Sequence, residues 1–339
     1  MGLNSDSRRQ VVGSSLADQS ADDRSTVGWV SVMKVSPAVF ELDVPAVVGA
    51  IEQFISEQVT ELDRAGIVVP LSGGLDSSTV LALCARAISP DRVTALLLPD
   101  SRGSRDALRF SRLVAGQLGV RVVVQNATRV NRAAGVYNFV GYRIPMRRLV
   151  ARVVRTYLAG EANNVFLAGV RGTDHLLTRQ ALAAIYARQR LRMVMTYRYA
   201  ELHRLVVVGT AHKSEDLLGL FVKFGVDDAA DLMPLKGLYR SHVMRIAAAV
   251  GVPAEVLARS PNPEMLPGID DKYLDVFGVP APTVDLVLWG IEHGLSDADI
   301  AHDITVDPAK VAELREAVRV SAHMRQPSRH PDLAMFQRP

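Results

Sequence analysis

From Val44 to Leu62 apolar residues recur at helical spacing (Val47, Val48, Ile51, Phe54, Ile55, Val59, Leu62) and Gly66 follows as a stop signal, which predicts an amphipathic helix. The period then changes. Ile67-Val68-Val69-Pro70-Leu71 is a short continuous apolar run that predicts a buried strand, and Gly73-Gly74 ends it ahead of a helix carrying Val80, Leu81 and Leu83. The alternation repeats: strand Val93 to Leu98, helix Asp106 to Leu118 stopped by Gly119, strand Val120 to Val124, strand Leu205 to Val208. Continuous apolar strands separated by amphipathic helices predict an α/β fold with a doubly wound parallel sheet covered on both faces. Between them, Arg-rich helices are expected at Arg147 to Leu158 and Leu182 to Leu202, around the apolar run Val165 to Ala168. Beyond Val208 the pattern gives a helix over Ser241 to Val250 and a Pro-rich loop from Ser260 to Pro267. A helix over Thr283 to His293 with Thr283 as its cap and a last pair of helices within Ser296 to Ala322 then make a helical C-terminal portion.

The ends lack this periodicity. Residues 1–33, rich in Ser, Asp, Arg and Gly, read as a disordered tail, 34–327 as the folded domain and 328–339 as a mobile tail. With 48% hydrophobic and 22% charged residues in 339, the chain is globular. Its formal charge of +3 is spread along arginines and points to neither nucleic acid nor a membrane surface; an anionic nucleotide accounts for it. Cys84 is the one cysteine, which excludes an intrachain disulfide and a cysteine-rich metal cage and suits the cytoplasm. Between Leu83 and Ala85 it reads as a core thiol. No run approaches about 18 uncharged apolar residues, and no basic-then-apolar export pattern opens the chain.

The chemistry concentrates in Leu71-Ser72-Gly73-Gly74-Leu75-Asp76-Ser77-Ser78, between a buried strand and a helix. Glycines let the backbone approach phosphate oxygens, Ser72, Ser77 and Ser78 offer hydroxyls and amides, and the helix N-terminus favours negative charge. The string lacks the lysine of the Walker motif, so γ-phosphate transfer is disfavoured. Asp76 sits where a carboxylate meets phosphate only through a cation, which assigns it to Mg²⁺.

This SGGxDS string is the signature of the ATP pyrophosphatases, and the rest of the chain resembles the ammonia-dependent NAD synthetases among them. Val208-Gly209-Thr210-Ala211-His212-Lys213-Ser214-Glu215 is similar to that family's second block. Val222-Lys223-Phe224-Gly225, Ala230-Asp231-Leu232-Met233-Pro234-Leu235 and Gly237-Leu238-Tyr239-Arg240 are similar to its third. Arg190-Leu191-Arg192-Met193, Leu266-Pro267-Gly268, Asp270-Asp271 and His323-Met324-Arg325 continue the likeness from about Val44 to Pro327. The resemblance implies the adenine nucleotide α-hydrolase-like fold, a homodimer, ATP and Mg²⁺. It makes Glu215 the second Mg²⁺ ligand, and Asp76, Glu215 and Lys223 the catalytic set. Thr210, Lys223 and Arg240 would join Ser72, Gly73, Gly74, Leu75, Asp76, Ser77 and Ser78 on the nucleotide. Tyr186, Arg190, Asp231 and His323 would meet the acid substrate.

The implied reaction is adenylation of a small-molecule carboxylate, then amidation by ammonia with release of AMP and pyrophosphate: a C–N ligase, with deamido-NAD as the best acid. The alternatives are an amide ligase of the same fold acting on another acid or amine, and a nucleotide-binding regulator without turnover. The departures lie on the acid side. Val226-Asp227-Asp228-Ala229-Ala230 replaces a run with paired glycines, Tyr186 and Met324 stand for the family's asparagine and lysine, and a divergent insertion falls within 127–181.

Overall fold

Period-two alternation between two apolar environments builds the sheet. The computed structural model describes residues 34–139, 142, 165–262, 269–329 and 331. Strands β1 (Gly66–Pro70), β2 (Val93–Leu97), β3 (Arg121–Val124) and β4 (Leu205–Val207) are parallel in the order β3-β2-β1-β4, with Ile67 opposite both Val93 and Val206. The N-terminal half adds helices α1 (Val44–Glu61), α2 (Leu75–Ile88), α3 (Arg105–Gln117) and α4 (Thr128–Ala133). They are followed by α5 (Val165–Arg171), α6 (Leu176–His203), α7 (Lys213–Leu218), α8 (Arg240–Ala249) and α9 (Ala254–Leu257). Ile67, Val69, Val93, Ala95 and Val206 pack with Ile55 and Val59 of α1, Leu81 of α2, Val114 of α3 and Ile246 of α8. The intervening Val68, Leu96 and Val207 meet Tyr199 and Ala200 of α6 on the other face. Both faces are covered, so the strands carry no polar alternation, and each buried Val or Ile contributes about 1.5–3 kcal/mol.

The C-terminal helices α10 (Leu274–Phe277), α11 (Ala281–Glu292), α12 (Asp297–Ile304) and α13 (Pro308–Ser321) gather a second core. It contains Phe277, Val284, Leu288, Ile300, Val311 and Leu314 and takes in Phe40 from before α1. Element ends fall close to those expected from the pattern. Two details differ. Helix α6, expected from Leu182, begins at Leu176. Thr283 is not a cap but sits inside α11, whose N-cap is Pro280; Pro282 in the first turn needs no hydrogen-bonding N–H, so the helix begins earlier. The expected helix at Arg147 to Leu158, both tails and residues 263–268 of the Pro-rich loop lie outside the described residues. Cys84 is fully buried, and burial pushes its thiol far above the usual range, as a core residue requires. Among the described residues no helix is long and apolar enough to cross a membrane.

The strand order positions the site. From β1 the sheet continues through β2 and β3 on one side and β4 on the other, so the chain reverses direction across the sheet between β1 and β4. In open α/β sheets such a switch point leaves a crevice beyond the carboxyl ends of the two strands, which here lead into α2 and α7.

Candidate active site

Strand β1 runs into the loop Leu71-Ser72-Gly73-Gly74, and α2 begins at Leu75. Gly73 has φ +73°. A Cβ there would stand 2.7 Å from Ser111 N and 2.8 Å from Ala107 O, so only glycine fits. Arg259 Nη1 donates to Gly73 O at 2.6 Å and pins the loop. The Ser72 and Ser77 hydroxyls lie 3.0 Å apart, and Gly74 N donates to Ser72 Oγ at 3.3 Å. Gly74 provides no side-chain cap for α2, and among the described residues the buried Ser78 hydroxyl has no hydrogen-bond partner. The first amides of a 14-residue helix are thereby left for an anion.

Asp76 enters from the first turn of α2 and Glu215 from the first turn of α7, so neighbouring strands bring two carboxylates together. With His212 they offer ligand atoms that all lie within 4.8 Å of one another. His212 Nε2 stands 3.6 Å from Glu215 Oε2 and 3.9 Å from Asp76 Oδ1. Arg240 Nη1 is 3.3 Å from Asp76 Oδ1, and the Lys272 ammonium contacts Glu215 Oε1. Burial alone would raise the Asp76 pKa, but the charges of Arg240 and Lys272 outweigh it and hold the carboxyl below its ordinary value. His212 is shifted the other way: burial dominates over Glu215 and Asp76, so the imidazole is kept neutral.

Asp76, Glu215, Arg240 and Lys272 line a cavity of about 300 Å³, and the fully buried His212 is not on its wall. Ser72, Gly74, Leu75, Asp76, Ser77, Thr210, Glu215 and Arg240 are on its wall, as expected from the sequence, with Gly73 and Ser78 directly behind in the same loop. The other candidates are elsewhere. Lys223 Nζ donates to the carbonyls of His323 at 3.1 Å and Gln326 at 2.6 Å, and the His323 ring turns back on Val320 O. Arg190 Nε donates to Lys223 O, with the guanidinium over the Tyr186 ring at 5.8 Å. Asp231 accepts from Tyr197 Oη at 3.0 Å and from Val207 N at 2.8 Å, which fastens the end of β4.

The wall also holds residues to which the sequence reading gave no role: Asp100, Gln189, Arg192, Asp227, Arg259 and Lys272. Asp100 accepts from Arg188 Nε at 2.6 Å, from Arg192 Nη2 at 3.4 Å and from Arg102 N at 2.8 Å, with its carboxylate fully buried. Desolvation is overcome by the two guanidinium groups, so Asp100 stays ionised. Asp227 is pushed up to about 6 by burial, with Glu215 adding to the shift and Arg192 and Lys272 opposing it. Arg192 and His212 stood inside motifs already singled out, and Lys272 follows Asp270-Asp271 directly. Asp100 carried the weaker signal of an acid just past a parallel strand, and Arg259 carried none.

Comparison with known proteins bears on this geometry. The profile of the NAD synthase family matches residues 47–143 and 148–328. An NH(3)-dependent NAD(+) synthetase from Thermotoga maritima is 33% identical over 277 residues, covering 80% of this chain and 94% of that protein. The enzyme of the same name from Hyperthermus butylicus is 32% identical over 299 residues, covering 87% and 94%. Among solved structures, NMN synthetase from Francisella tularensis superposes with a TM-score of 0.63 at 22% identity, over 86% of this chain and 100% of that one. The NH3-dependent NAD synthetase of Campylobacter jejuni gives 0.60 at 22%, over the same shares; both show the shared fold. With the match running through the phosphate loop, both carboxylates and the C-terminal helices, the chain belongs to the NAD synthase family.

Proposed function

We propose that the protein amidates deamido-NAD with ammonia at the expense of ATP, releasing AMP and pyrophosphate. The observation that carries this reading is the meeting of Asp76 and Glu215 at the uncapped N-terminus of α2, within a chain of this family. The two carboxylates supply hard oxygen donors beside a cavity open to phosphate and water, which suits Mg²⁺; the neutral nitrogen of His212 is a donor that this ion favours less, and it serves to orient the carboxylates. Bound there, the ion would balance charge on the pyrophosphate.

The remaining steps belong to the protein. Backbone amides at Gly73 to Ser77 and the Arg240 guanidinium hold the phosphates, and Thr210 faces the nucleotide from the end of β4. With the acid placed over the α-phosphorus, its carboxylate oxygen attacks, the bond to the pyrophosphate oxygen breaks, and ammonia then displaces AMP from the acyl carbon. Asp227, ionised above about pH 6, is the carboxylate on the cavity wall matched to take the proton that the attacking nitrogen sheds. The exposed Leu176, Leu177, Val194 and Leu202 on α6 support the homodimer that the resemblance implied, and the lone buried thiol fits a reducing cytoplasm.

The test is formation of NAD from deamido-NAD, ammonium chloride and Mg-ATP, read by a coupled dehydrogenase. NAD appearing in proportion to enzyme is the expected result. NAD at the no-enzyme rate, with nucleotide still bound, would end the deamido-NAD assignment; turnover of an acid without the adenylate half would redirect it.

A further inference from the structure

The two carboxylates at the head of the cavity are matched by two side-chain cations. Arg240 faces Asp76 at 3.3 Å, and the Lys272 ammonium rests on Glu215. Lys272 is itself buried, 8% exposed, with its nitrogen 5.4 Å from the centre of the Tyr273 ring. Buried lysines are rare unless paired, so the contact with Glu215 is what keeps this ammonium inside. The two carboxylates and the two cations that contact them sum to zero formal charge. A divalent cation placed between Asp76 and Glu215 therefore gains no net attraction from these four groups and must also displace the ammonium from Glu215. A triphosphate on the loop at Gly73 and Gly74 brings several negative charges to the same wall and supplies the missing attraction.

We propose that Lys272 is a tethered counter-ion that makes divalent-metal binding at Asp76 and Glu215 depend on the nucleotide. Without nucleotide the ammonium holds Glu215 in position and excludes the metal. With nucleotide bound, the phosphates draw the metal to the carboxylates and give the freed ammonium oxygens to pair with. Lys272 acts here through Glu215 and is a positioning residue. The inference rests on the metal assignment of the proposed function, and by reciprocity the metal must strengthen nucleotide binding by the same factor that the nucleotide strengthens the metal's.

The experiment is Mn²⁺ titration of the full chain followed by electron paramagnetic resonance, with and without α,β-methylene-ATP, whose α–β linkage resists cleavage. Wild type is expected to bind Mn²⁺ weakly alone and about tenfold or more tighter with the analogue, within the usual range of coupling between sites. In Lys272→Met, which keeps the buried stem, the nucleotide-free affinity should rise about tenfold and the coupling shrink accordingly. Lys272→Arg should behave as wild type. A purely structural ion pair predicts a lower melting temperature in Lys272→Met with no gain in Mn²⁺ affinity, and that result overturns the proposal. Glu215→Gln separates the two layers: wild-type Mn²⁺ affinity in that variant would remove the metal assignment itself, whatever Lys272 does.

Discussion

The loop from Leu71 to Ser78 and the residues Tyr186 and Arg190 both stand out in the sequence, yet only the first faces the cavity. The loop keeps its binding capacity free: α2 has no side-chain cap, and the Ser78 hydroxyl has no partner among the described residues. Tyr186 and Arg190 are engaged with each other and with Lys223 O. Helix α6 nevertheless reaches the cavity through Gln189 and Arg192, and through Arg188 on the buried Asp100. Arg188 and Arg192 form one i, i+4 row and Tyr186 and Arg190 another, roughly 200° away around the helix. A motif can thus locate the right helix while the helical phase decides which of its residues meets the ligand.

The largest effect expected from this contrast is at the loop's carboxylates. Asp76→Asn and Glu215→Gln should each lower kcat of the folded protein by about 10²- to 10³-fold or more, since each weakens the hold on the cation that would balance the pyrophosphate and keeps side-chain size. A near-normal rate in either would break the assignment. Next comes Asp100→Ala, which leaves Arg188 charged, buried and stripped of its ion pair; chemical denaturation should show a loss of about 3–5 kcal/mol. If the loss is negligible, α6 is not anchored to the cavity through this pair. Gly73→Ala forces a left-handed side chain against Ser111 N and Ala107 O, and should cost about 2–3 kcal/mol of stability along with nucleotide affinity, measured by calorimetry.

The smallest effect concerns pH. The folded pKa of Asp227, about 6, lies above its unfolded value, so the native state holds the proton more tightly and its advantage fades as pH rises from about 4 through 6. Asp227→Asn removes this loss. Its melting temperature relative to wild type should climb between pH 5 and pH 8, by the equivalent of about 1–2 kcal/mol after allowance for partial solvent screening. A flat difference would mean that Asp227 titrates as an ordinary carboxylate.

Much of the fold was legible because its signals are local. β1, the glycine pair and α2 follow one another within some twenty residues, and their order alone fixes an anion site at a helix N-terminus. Glu215 was legible through the family block Val208 to Glu215, which the structure places at the start of a helix after β4. Lys272, Arg259 and Asp100 were not, since each meets its partner across a long sequence separation that no periodicity encodes. Thr283 was misread because a threonine at the edge of an apolar stripe has the chemistry of a cap, whereas Pro282 lets the helix start before it.

Pyrophosphate is the leaving group expected of this cavity. Phosphorus NMR of a turnover mixture containing Mg-ATP, ammonia and the acid reads it directly. AMP and pyrophosphate should form in equal amounts, matched by the amide product; ADP and inorganic phosphate as the main products would overturn the assignment.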